Sequence, residues 1–304
     1  MDKYLTNVGQ TRYSRFVSII RQRQHGYHFG AVSLFVLLHL GVAAVFFYPP
    51  TPRLLIWLAA TYALRMFGVT AGYHRYFSHR SYRLGRAGQL AMAFLAQTSA
   101  QKGILWWAAQ HREHHRHSDD DQDIHSPWQS GFWWAHVGWI LSNEHDSYEP
   151  KSIADMARYP ELRWLDRHHW VPTVVFAAGV LWLGGAGAFV WGYVVSTVLL
   201  YHCTFAINSL AHLFGSRRFD TPDHSRNNWL LALLTFGEGW HNNHHFSMGS
   251  CRQGLRWWEI DVTYGVLKVL ALVGIARDLR PFRNADGTRG LSPARAEARP
   301  PVVG

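Results

Sequence analysis

Charged residues and cysteine are both scarce in this chain. Asp, Glu, Lys and Arg make up only 16% of its 304 residues, compared with about 25% in ordinary soluble domains. Its two cysteines, Cys203 and Cys251, are too few for a disulfide framework or a cysteine-based metal site, which fits a reducing compartment. The sequence therefore excludes small disulfide-rich folds and metal sites built from thiolates.

The stretches of the chain that lack charged residues are long and apolar. Residues 30–49, GAVSLFVLLHLGVAAVFFYP, form a nearly continuous apolar run of about the 20 residues that a transmembrane helix needs. PPTP at 49–52 then breaks the helix, and residues 54–73 lead back as a second predicted span. Because Arg65 lies inside this span, we expect its side chain to snorkel, or the helix to have left the lipid there.

The second apolar block is longer than the first. No Asp, Glu, Lys or Arg occurs between Arg167 and Arg217. GGAG at 184–187 divides this block into two predicted helices, roughly 169–183 and 187–211. A soluble protein with buried helices is the alternative, but uncharged runs beyond about 18 residues favour membrane spans.

The basic residues lie on one side of the predicted hairpins. Those that precede the first span or follow the second are Lys3, Arg12, Arg15, Arg21, Arg23, Arg75, Arg80, Arg83 and Arg86. The turn between the spans holds only Arg53, so the positive-inside rule places both termini and the middle segment in the cytoplasm. The net charge of +10 suits acidic partners, although topology and lipid contact more often explain such a surface. We expect membrane lipid but no nucleic acid as a partner.

These features predict an all-α integral membrane protein, with four transmembrane helices in two hairpins and a cytosolic helical cap. The predicted regions are an N-terminal cytosolic segment (1–29), a first hairpin (30–73), a cytosolic region (74–168), a second hairpin (169–212), a cytosolic region (213–282) and a disordered tail (283–304). Two shorter apolar stretches, 90–110 and 262–276, are expected to lie on the membrane or to cover the cytosolic site.

Histidine is abundant, and nine of the 20 histidines fall in tight clusters. In the motifs HRYFSH, HREHH, NSLAH and HNNHH they are His74, His79, His111, His114, His115, His212, His241, His244 and His245. On a helix, H-x-x-H-H places three imidazoles on one face, where neutral rings could bind a metal ion but three cations would repel one another. Because His74 and His79 would point about 140° apart on an ideal helix, we expect them to flank a bend or to approach the metal from different directions.

Nine imidazoles exceed the needs of one metal ion, since a zinc ion takes four ligands. Two ions with four or five imidazoles each would use all nine. Glu113 and Glu238 lie near the clusters and are expected to hold imidazole N–H groups. The remaining histidines are expected to be interfacial, structural or in a surface loop (His25, His28, His39, His136, His145, His168, His169, His202 and His224), with His117 and His125 left open.

The order and spacing of these motifs resemble those of the membrane fatty acyl desaturases, in particular the bacterial Δ9 acyl-CoA (stearoyl-CoA) desaturases. The resemblance covers about residues 30–280 and extends to FWWAHVGWIL, NSLAHLFGSRRFDT and RQGLRWWEID. It implies a four-span helical fold whose cytosolic cap holds a di-iron centre, in the membrane of a bacterial cell.

The resemblance also implies a ligand set that spacing alone does not assign. One iron would be bound by His74, His79, His111, His115 and His244. The other would be bound by His114, His212, His241 and His245, with Asn208 reaching it through a water. The catalytic group would be the di-iron centre that these residues hold.

The chemistry of this family implies the remaining cofactors and partners. Two iron ions, cycling between Fe²⁺ and Fe³⁺, would use O2 to introduce a cis double bond, expected at Δ9, into a saturated chain on CoA or another acyl carrier. No HPGG-type cytochrome b5 motif and no cysteine-rich iron–sulfur motif occurs, so a separate ferredoxin or cytochrome b5 with its reductase is expected as electron donor. The net positive charge would suit an acidic electron donor and a CoA phosphate. An acyl tunnel or an aromatic belt would account equally well for Trp106, Trp107, Trp134, Trp257 and Trp258.

Two other functions fit parts of the pattern. A histidine-rich di-iron hydroxylase or ketolase acting on alkanes or carotenoids would share the scaffold, although N-x3-H and the last cluster favour desaturation. A metal-binding membrane protein or transporter would need ligands within the spans, where only His39 and His202 are available.

Overall fold

The computed structural model describes residues 26–284 and 288–289. The predicted N-terminal segment up to residue 25 and most of the predicted tail lie outside these residues. Within the described residues, the only strands are β1 (Arg83–Leu84) and β2 (Ala276–Arg277), which pair antiparallel. The remaining regular structure is helical, which confirms the prediction of an α-helical protein.

The helices follow one another in chain order, several with a 3₁₀ or π-helical extension. They are α1 (Phe29–Gly41, then a 3₁₀ turn Val42–Phe46), α2 (Pro52–Phe67, then a π-helix Gly68–Ser78), α3 (Arg86–Gln97), α4 (Ile104–His117), α5 (Pro127–Ser130, followed by a π-turn Trp134–Gly138), α6 (Trp139–Leu141, followed by a 3₁₀ turn Pro150–Ile153), α7 (Ala154–Ala157), α8 (Pro160–Arg167), α9 (Trp170–Phe189, then a π-turn Val190–Val195), α10 (Ser196–Leu213), α11 (Trp229–Leu234), α12 (His241–Phe246) and α13 (Val262–Leu272).

Three helical stretches among the described residues are long and apolar enough to cross a membrane: Phe29–Phe46, Pro52–Ser78 and Trp170–Leu213. The third is interrupted at Gly185, whose φ of 75° and ψ of −175° belong to a region that only glycine adopts readily. Beyond this kink the chain folds back, since the hydroxyls of Thr173 and Tyr193 lie 3.0 Å apart.

Arg65 on α2 is fully buried and does not snorkel to water, so the first of the two alternatives for its side chain is wrong. Its guanidinium donates to Thr197 Oγ1 (2.7 Å) and to the carbonyl of Thr61 (3.3 Å), and it also contacts Ser196 Oγ. Hydroxyls on α10 thus replace the water that the charge would otherwise require.

Close packing joins the end of α2 to α3. A Cβ atom on Gly68 would lie 2.9 Å from the carbonyl oxygen of Leu95, and one on Gly72 would lie 3.0 Å from Cβ of Ala96. These glycines therefore let the π-helix Gly68–Ser78 approach the backbone of α3. The π-helix, which carries His74, is fully buried as a result.

The main hydrophobic core joins residues of two candidate spans, among them Met66 on α2 and Phe205 on α10, to residues of the helices between them. Ala96 on α3 and Ile104 on α4, both within the apolar stretch 90–110, are completely buried in it. By contrast, α1 has no buried residue. On α13, Leu267 is buried while Leu272 is 86% exposed, so this helix presents an apolar surface.

Candidate metal centre

The structure collects the nine clustered histidines into two adjacent groups. The first group consists of His74, His79, His111, His115 and His244, and the second of His114, His212, His241 and His245. Within each group, one nitrogen of every imidazole lies within 4.8 Å of the others. The memberships are those that the resemblance implies.

A π-helix explains how His74 and His79 reach the same group. The amide of His79 donates to the carbonyl of His74 (3.2 Å), a spacing of five residues that the π-helix produces. The two rings therefore converge, with centroids 4.8 Å apart, although an ideal α-helix would direct them about 140° apart. The two ring planes are at 90° to each other, which agrees with the expectation that the two histidines approach one site from different directions.

The HREHH motif on α4 serves both groups. His111 and His115 are four residues apart and their Nε2 atoms lie 3.0 Å from each other in the first group. His114, between them, faces the second group, where its ring centroid is 5.4 Å from that of His212. A single helix thus contributes ligand atoms to both groups and fixes their separation.

The HNNHH motif on α12 is held in place by its two asparagines. Asn242 Oδ1 accepts the amides of Arg218 and Phe219, both at 2.8 Å. Asn243 donates to the carbonyl of Gln253 (2.9 Å) and accepts from Asn227 (2.9 Å). These bonds tie the short helix to two loops, 214–228 and the one that holds Gln253, and so orient its three histidines.

Four buried carboxylates hold Nδ1 atoms of the clustered histidines. His114 bonds to Asp123 (3.0 Å), His212 to Asp119 (2.7 Å) and His245 to Asp223 (2.7 Å), and His74 pairs with Glu238. Because a carboxylate only accepts, Nδ1 carries the proton and Nε2 presents a lone pair.

Sequence reasoning identified only Glu238 among these carboxylates. The three aspartates lie in HSDDDQD and TPDHS. Their position close to histidines in the sequence was the signal that could have identified them. Asp119 has a positive φ of 63°, a conformation that Asp tolerates, and this turns its carboxylate toward α10. Glu113 pairs with Arg116 and lies 3.4 Å from Nε2 of His117, so the imidazole that it contacts is not one of the nine clustered ones.

The distances between the imidazole nitrogens fit metal ions whose neighbouring ligands lie at about right angles to each other. Nε2–Nε2 distances are 2.8 Å for His79–His111 and 3.0 Å for His74–His244 and His212–His241. With metal–nitrogen bonds of about 2.1 Å, ligands at right angles are about 3.0 Å apart and tetrahedral ones about 3.4 Å. His245 Nε2 is also buried without a hydrogen-bond partner, as a lone pair reserved for a metal would be.

Burial keeps most of these imidazoles neutral. Desolvation, reinforced by the neighbouring imidazoles, holds the pKa of His79, His111, His115, His241 and His244 well below its usual value. At His114 burial also acts to lower the pKa, but Asp123 outweighs it and raises the value. Burial acts to raise the pKa of Glu238, yet the neighbouring His74 and Arg75 lower it to about 2. Neutral imidazoles beside ionised carboxylates are the forms that metal binding requires.

Several other predicted residues lie at the edge of the centre. Asn208 is half-buried one turn before His212, and its side chain has no hydrogen-bond partner within the described part of the chain. His125, left open by the sequence, is buried and stacks on His114 with centroids 4.2 Å apart. His224, expected in a surface loop, is half-buried and packs on Trp128.

The five predicted tryptophans are divided between site, core and surface. Trp107 stacks on His111, with centroids 4.9 Å apart and ring planes 18° apart. Trp106 and Trp134 are buried and donate to the carbonyls of His145 (2.6 Å) and Ile124 (3.0 Å). Trp257 is 89% and Trp258 47% exposed, so Trp107 is the one that forms a wall of the centre.

The known proteins to which this chain is similar include several fatty acid desaturases. Residues 51–270 match the model of the family described as fatty acid desaturase. The chain is 36% identical over 256 residues to the sn-1 stearoyl-lipid 9-desaturase of Anabaena variabilis, covering 84% of this chain and 90% of that one. It is 40% identical over 216 residues to the sn-2 palmitoyl-lipid 9-desaturase of Nostoc sp. (69% and 75% covered). The icosanoyl-CoA 5-desaturase of Limnanthes douglasii is 35% identical over 254 residues (82% and 71% covered).

Proposed function

Because this chain belongs to the fatty acid desaturase family, we propose that it introduces a cis double bond into a saturated acyl chain with O2 as the oxidant. The observation that carries the proposal is the pair of buried histidine groups with Nε2 atoms 2.8–3.0 Å apart. The reaction balances when two hydrogens from adjacent carbons, two electrons and two protons convert one O2 into two water molecules.

The first histidine group would hold one iron ion and the second another, with Asn208 near the second. When bound, the two ions would supply the oxidising chemistry. The protein's own contribution is positional, since Asp119, Asp123, Asp223 and Glu238 hold the imidazoles with Nε2 directed inward. Trp107, stacked on His111 and on Tyr73, is apolar and would keep water from one side of the oxidised carbons.

For the substrate, we propose the Δ9 position of a chain esterified in a membrane lipid. The two relatives named as 9-desaturases are both named for lipid-bound chains, whereas the acyl-CoA relative is named as a 5-desaturase. Acyl-CoA, expected from the sequence motifs, is the second candidate because that relative covers 82% of this chain.

In the membrane, we propose four spans, with the third and fourth joined at Gly185. The reversal there supports this count, and the basic flanks support a cytoplasmic cap in a bacterial inner membrane. Electrons would come from a separate ferredoxin or cytochrome b5 and its reductase.

A desaturase-deficient host expressing the chain tests the reaction. We expect a new cis monounsaturated fatty acid, located at Δ9 by derivatisation and mass spectrometry. His241→Ala should abolish it while the protein remains in the membrane, and the exposed His169→Ala should not change it. Hydroxylated products would instead support a hydroxylase, and an unchanged profile with iron bound and a compatible donor present would contradict the proposal.

The acyl carrier is tested by following isotope-labelled stearate in isolated membranes. If the lipid proposal holds, membranes whose phospholipids carry the label form labelled monoene without added CoA. Product formation only from added labelled stearoyl-CoA, with the phospholipid label unchanged, would establish the acyl-CoA candidate instead.

A further inference from the structure

Three further histidines form a hydrogen-bonded chain outside the two metal-binding groups. His39 on α1 lies 3.0 Å from His202 on α10, joined through their Nε2 atoms. His202 Nδ1 lies 3.0 Å from Nε2 of His136 in the π-turn Trp134–Gly138. His136 Nδ1 in turn lies 2.9 Å from Ser209 Oγ on α10. Three separate segments of the chain thus contribute to one continuous path.

The direction of this path is fixed at one end. The carbonyl of Phe35 accepts from His39 Nδ1 (2.7 Å), so in the neutral ring His39 Nε2 must accept. His202 then donates from Nε2 and accepts at Nδ1. His136 likewise donates from Nε2 and accepts at Nδ1 from the Ser209 hydroxyl, whose single proton is shared between His136 (2.9 Å) and the carbonyl of Phe205 (3.1 Å).

The path leads toward the metal centre along α10. His202 and Ser209 are seven residues apart and therefore share one face of this helix, about 10 Å apart along its axis. Ser209 is three residues before the ligand His212, a spacing that brings the two Cβ atoms within about 6 Å. The path therefore ends one helical turn from the second histidine group.

The surroundings of the path are apolar. Phe35 packs on His39 (centroids 4.1 Å apart), Phe132 stacks on His136 (5.4 Å) and Phe205 lies against His202 (6.3 Å). Within the described residues, none of the three histidines forms a hydrogen bond or ion pair with a charged side chain. Ionisable residues in the apolar part of a membrane protein are costly and usually functional.

We infer that His39, His202 and His136 form a proton store that exchanges one proton with the buried metal centre. A proton arriving at Ser209 would let its hydroxyl proton pass to His136 Nδ1. The Nε2 proton of His136 would pass to His202 Nδ1, and the Nε2 proton of His202 to His39 Nε2. His39 would then hold a proton on both nitrogens, and reversal of the three transfers would return it without rotating any ring.

Such a store would serve a centre that gains electrons in a region from which water is excluded. Added negative charge at low dielectric strongly favours the uptake of a proton nearby. The inference rests on the proposed function only in taking the buried centre to be redox-active, and neither of its tests depends on the fatty acid product.

The first test measures proton uptake by iron-loaded protein in weakly buffered detergent solution. The protein is reduced electrochemically while an indicator dye records pH. We expect His39→Gln to take up about one proton per molecule fewer than the unchanged protein, and the exposed control His169→Gln to match it. Ser209→Ala removes no titratable group and should reach full uptake at least about tenfold more slowly.

The second test uses nitrogen NMR of metal-free protein, where folding and tautomers can be read without activity. We expect the proton on Nδ1 of His39 and on Nε2 of His202 and His136. The opposite tautomers would overturn the inference, as would full uptake by His39→Gln or unchanged kinetics in Ser209→Ala. If these tests succeed but no unsaturated acid forms, only the proposed function fails.

Discussion

The carboxylate of Asp119 determines which nitrogen of His212, on α10, is free to bind a metal ion. It accepts from Nδ1 of His212 (2.7 Å), from the Ser126 hydroxyl (2.6 Å) and from the amide of His224 (2.8 Å). Burial acts to raise its pKa, but the hydrogen bond from His212 helps to lower the value to about 2. The carboxylate therefore remains ionised and keeps the Nε2 lone pair of His212 directed at the centre.

Asp119→Asn should lower the iron affinity of the protein about 10- to 100-fold. Asparagine tolerates the left-handed backbone at this position, so the change removes charge without straining the turn. Iron content after dialysis against a graded chelator measures the effect. The exposed neighbour Asp121 provides the control Asp121→Asn, and equal iron retention by both variants would show that Asp119 does not stabilise the ligand.

Glu259 makes the stability of the loop around α12 depend on pH. It accepts the amide of Leu255 (2.7 Å) and Nδ2 of Asn243 (3.2 Å), and it pairs with Arg218. Burial acts to raise the pKa of this carboxyl, but the hydrogen bonds from Arg218 and from the amide of Leu255 outweigh it and lower the pKa below its usual value. A lowered folded pKa stabilises the fold above the unfolded pKa, and this contribution is lost as pH falls through the folded pKa.

We expect Glu259→Gln to destabilise the protein by about 1–3 kcal/mol near neutral pH. The unfolding temperature of the unchanged metal-free protein should fall further between about pH 6 and pH 3 than that of the variant, because only the former loses this ionised group. Thermal unfolding in detergent, with Asp121→Asn as control, measures both effects. A variant with the same pH dependence as the unchanged protein would contradict this assignment.

The sequence predicted which residues form the site better than it predicted where their side chains point. H-x-x-H-H spacing was sufficient to place His111 and His115 on one helical face, because α4 is a regular α-helix there. It could not place His74 and His79 together, because nothing in GVTAGYHRYFS distinguishes a π-helix from an α-helix. The three aspartates were missed because their hydrogen bonds to histidines link segments up to 93 residues apart.

At the scale of elements, α4 is held by a single side chain at its start. Asp166 Oδ1 accepts the amides of Leu105 (2.8 Å) and Trp106 (3.0 Å), and Oδ2 accepts the hydroxyl of Tyr148 (3.1 Å). Gly103 leaves room for this cap, since a Cβ atom there would lie 2.1 Å from Asp166 Oδ1. The cap positions the helix that carries ligands to both groups.

Gly103→Ala should therefore destabilise the protein by about 1–3 kcal/mol and lower its iron content, because the added methyl group displaces Asp166. The control is Gly265→Ala on α13, where no atom lies within 4 Å of the added Cβ. That change should be neutral or stabilising by up to about 1 kcal/mol. Unfolding temperature and iron content measured on both variants test the prediction, and an equally stable Gly103→Ala protein would refute it.

At the scale of the whole molecule, the histidine groups constrain the number of membrane crossings. His111, His114 and His115 precede the stretch Trp170–Leu213, whereas the HNNHH histidines follow it, yet both sets share the same groups. A single crossing between 170 and 213 would place them on opposite sides of the membrane. An even number of crossings would keep them on one side, which agrees with the reversal at Gly185.

The sequence predicted the long apolar helices and the interruption at GGAG, since uncharged length and glycine both act locally. Apolar runs specify spans because unpaired charge is costly in lipid, and Gly185 permits a backbone that other residues resist. The burial of Arg65 was not predictable in this way. It depends on Thr197 and Ser196, which only the packing of α10 against α2 brings to the guanidinium.

Cysteine labelling tests the four-span topology directly. Pro50→Cys and Ala186→Cys lie at exposed positions in the two predicted external turns, so a membrane-impermeant maleimide should modify them in intact cells. Lys151→Cys, exposed on the cap, should react only after permeabilisation, because four spans place it inside. The native Cys251 is buried and Cys203 is half-buried in α10, so their background should be low. If Ala186→Cys were protected in intact cells while Lys151→Cys reacted, the second hairpin would have to be inverted or absent, and the cytoplasmic cap with it.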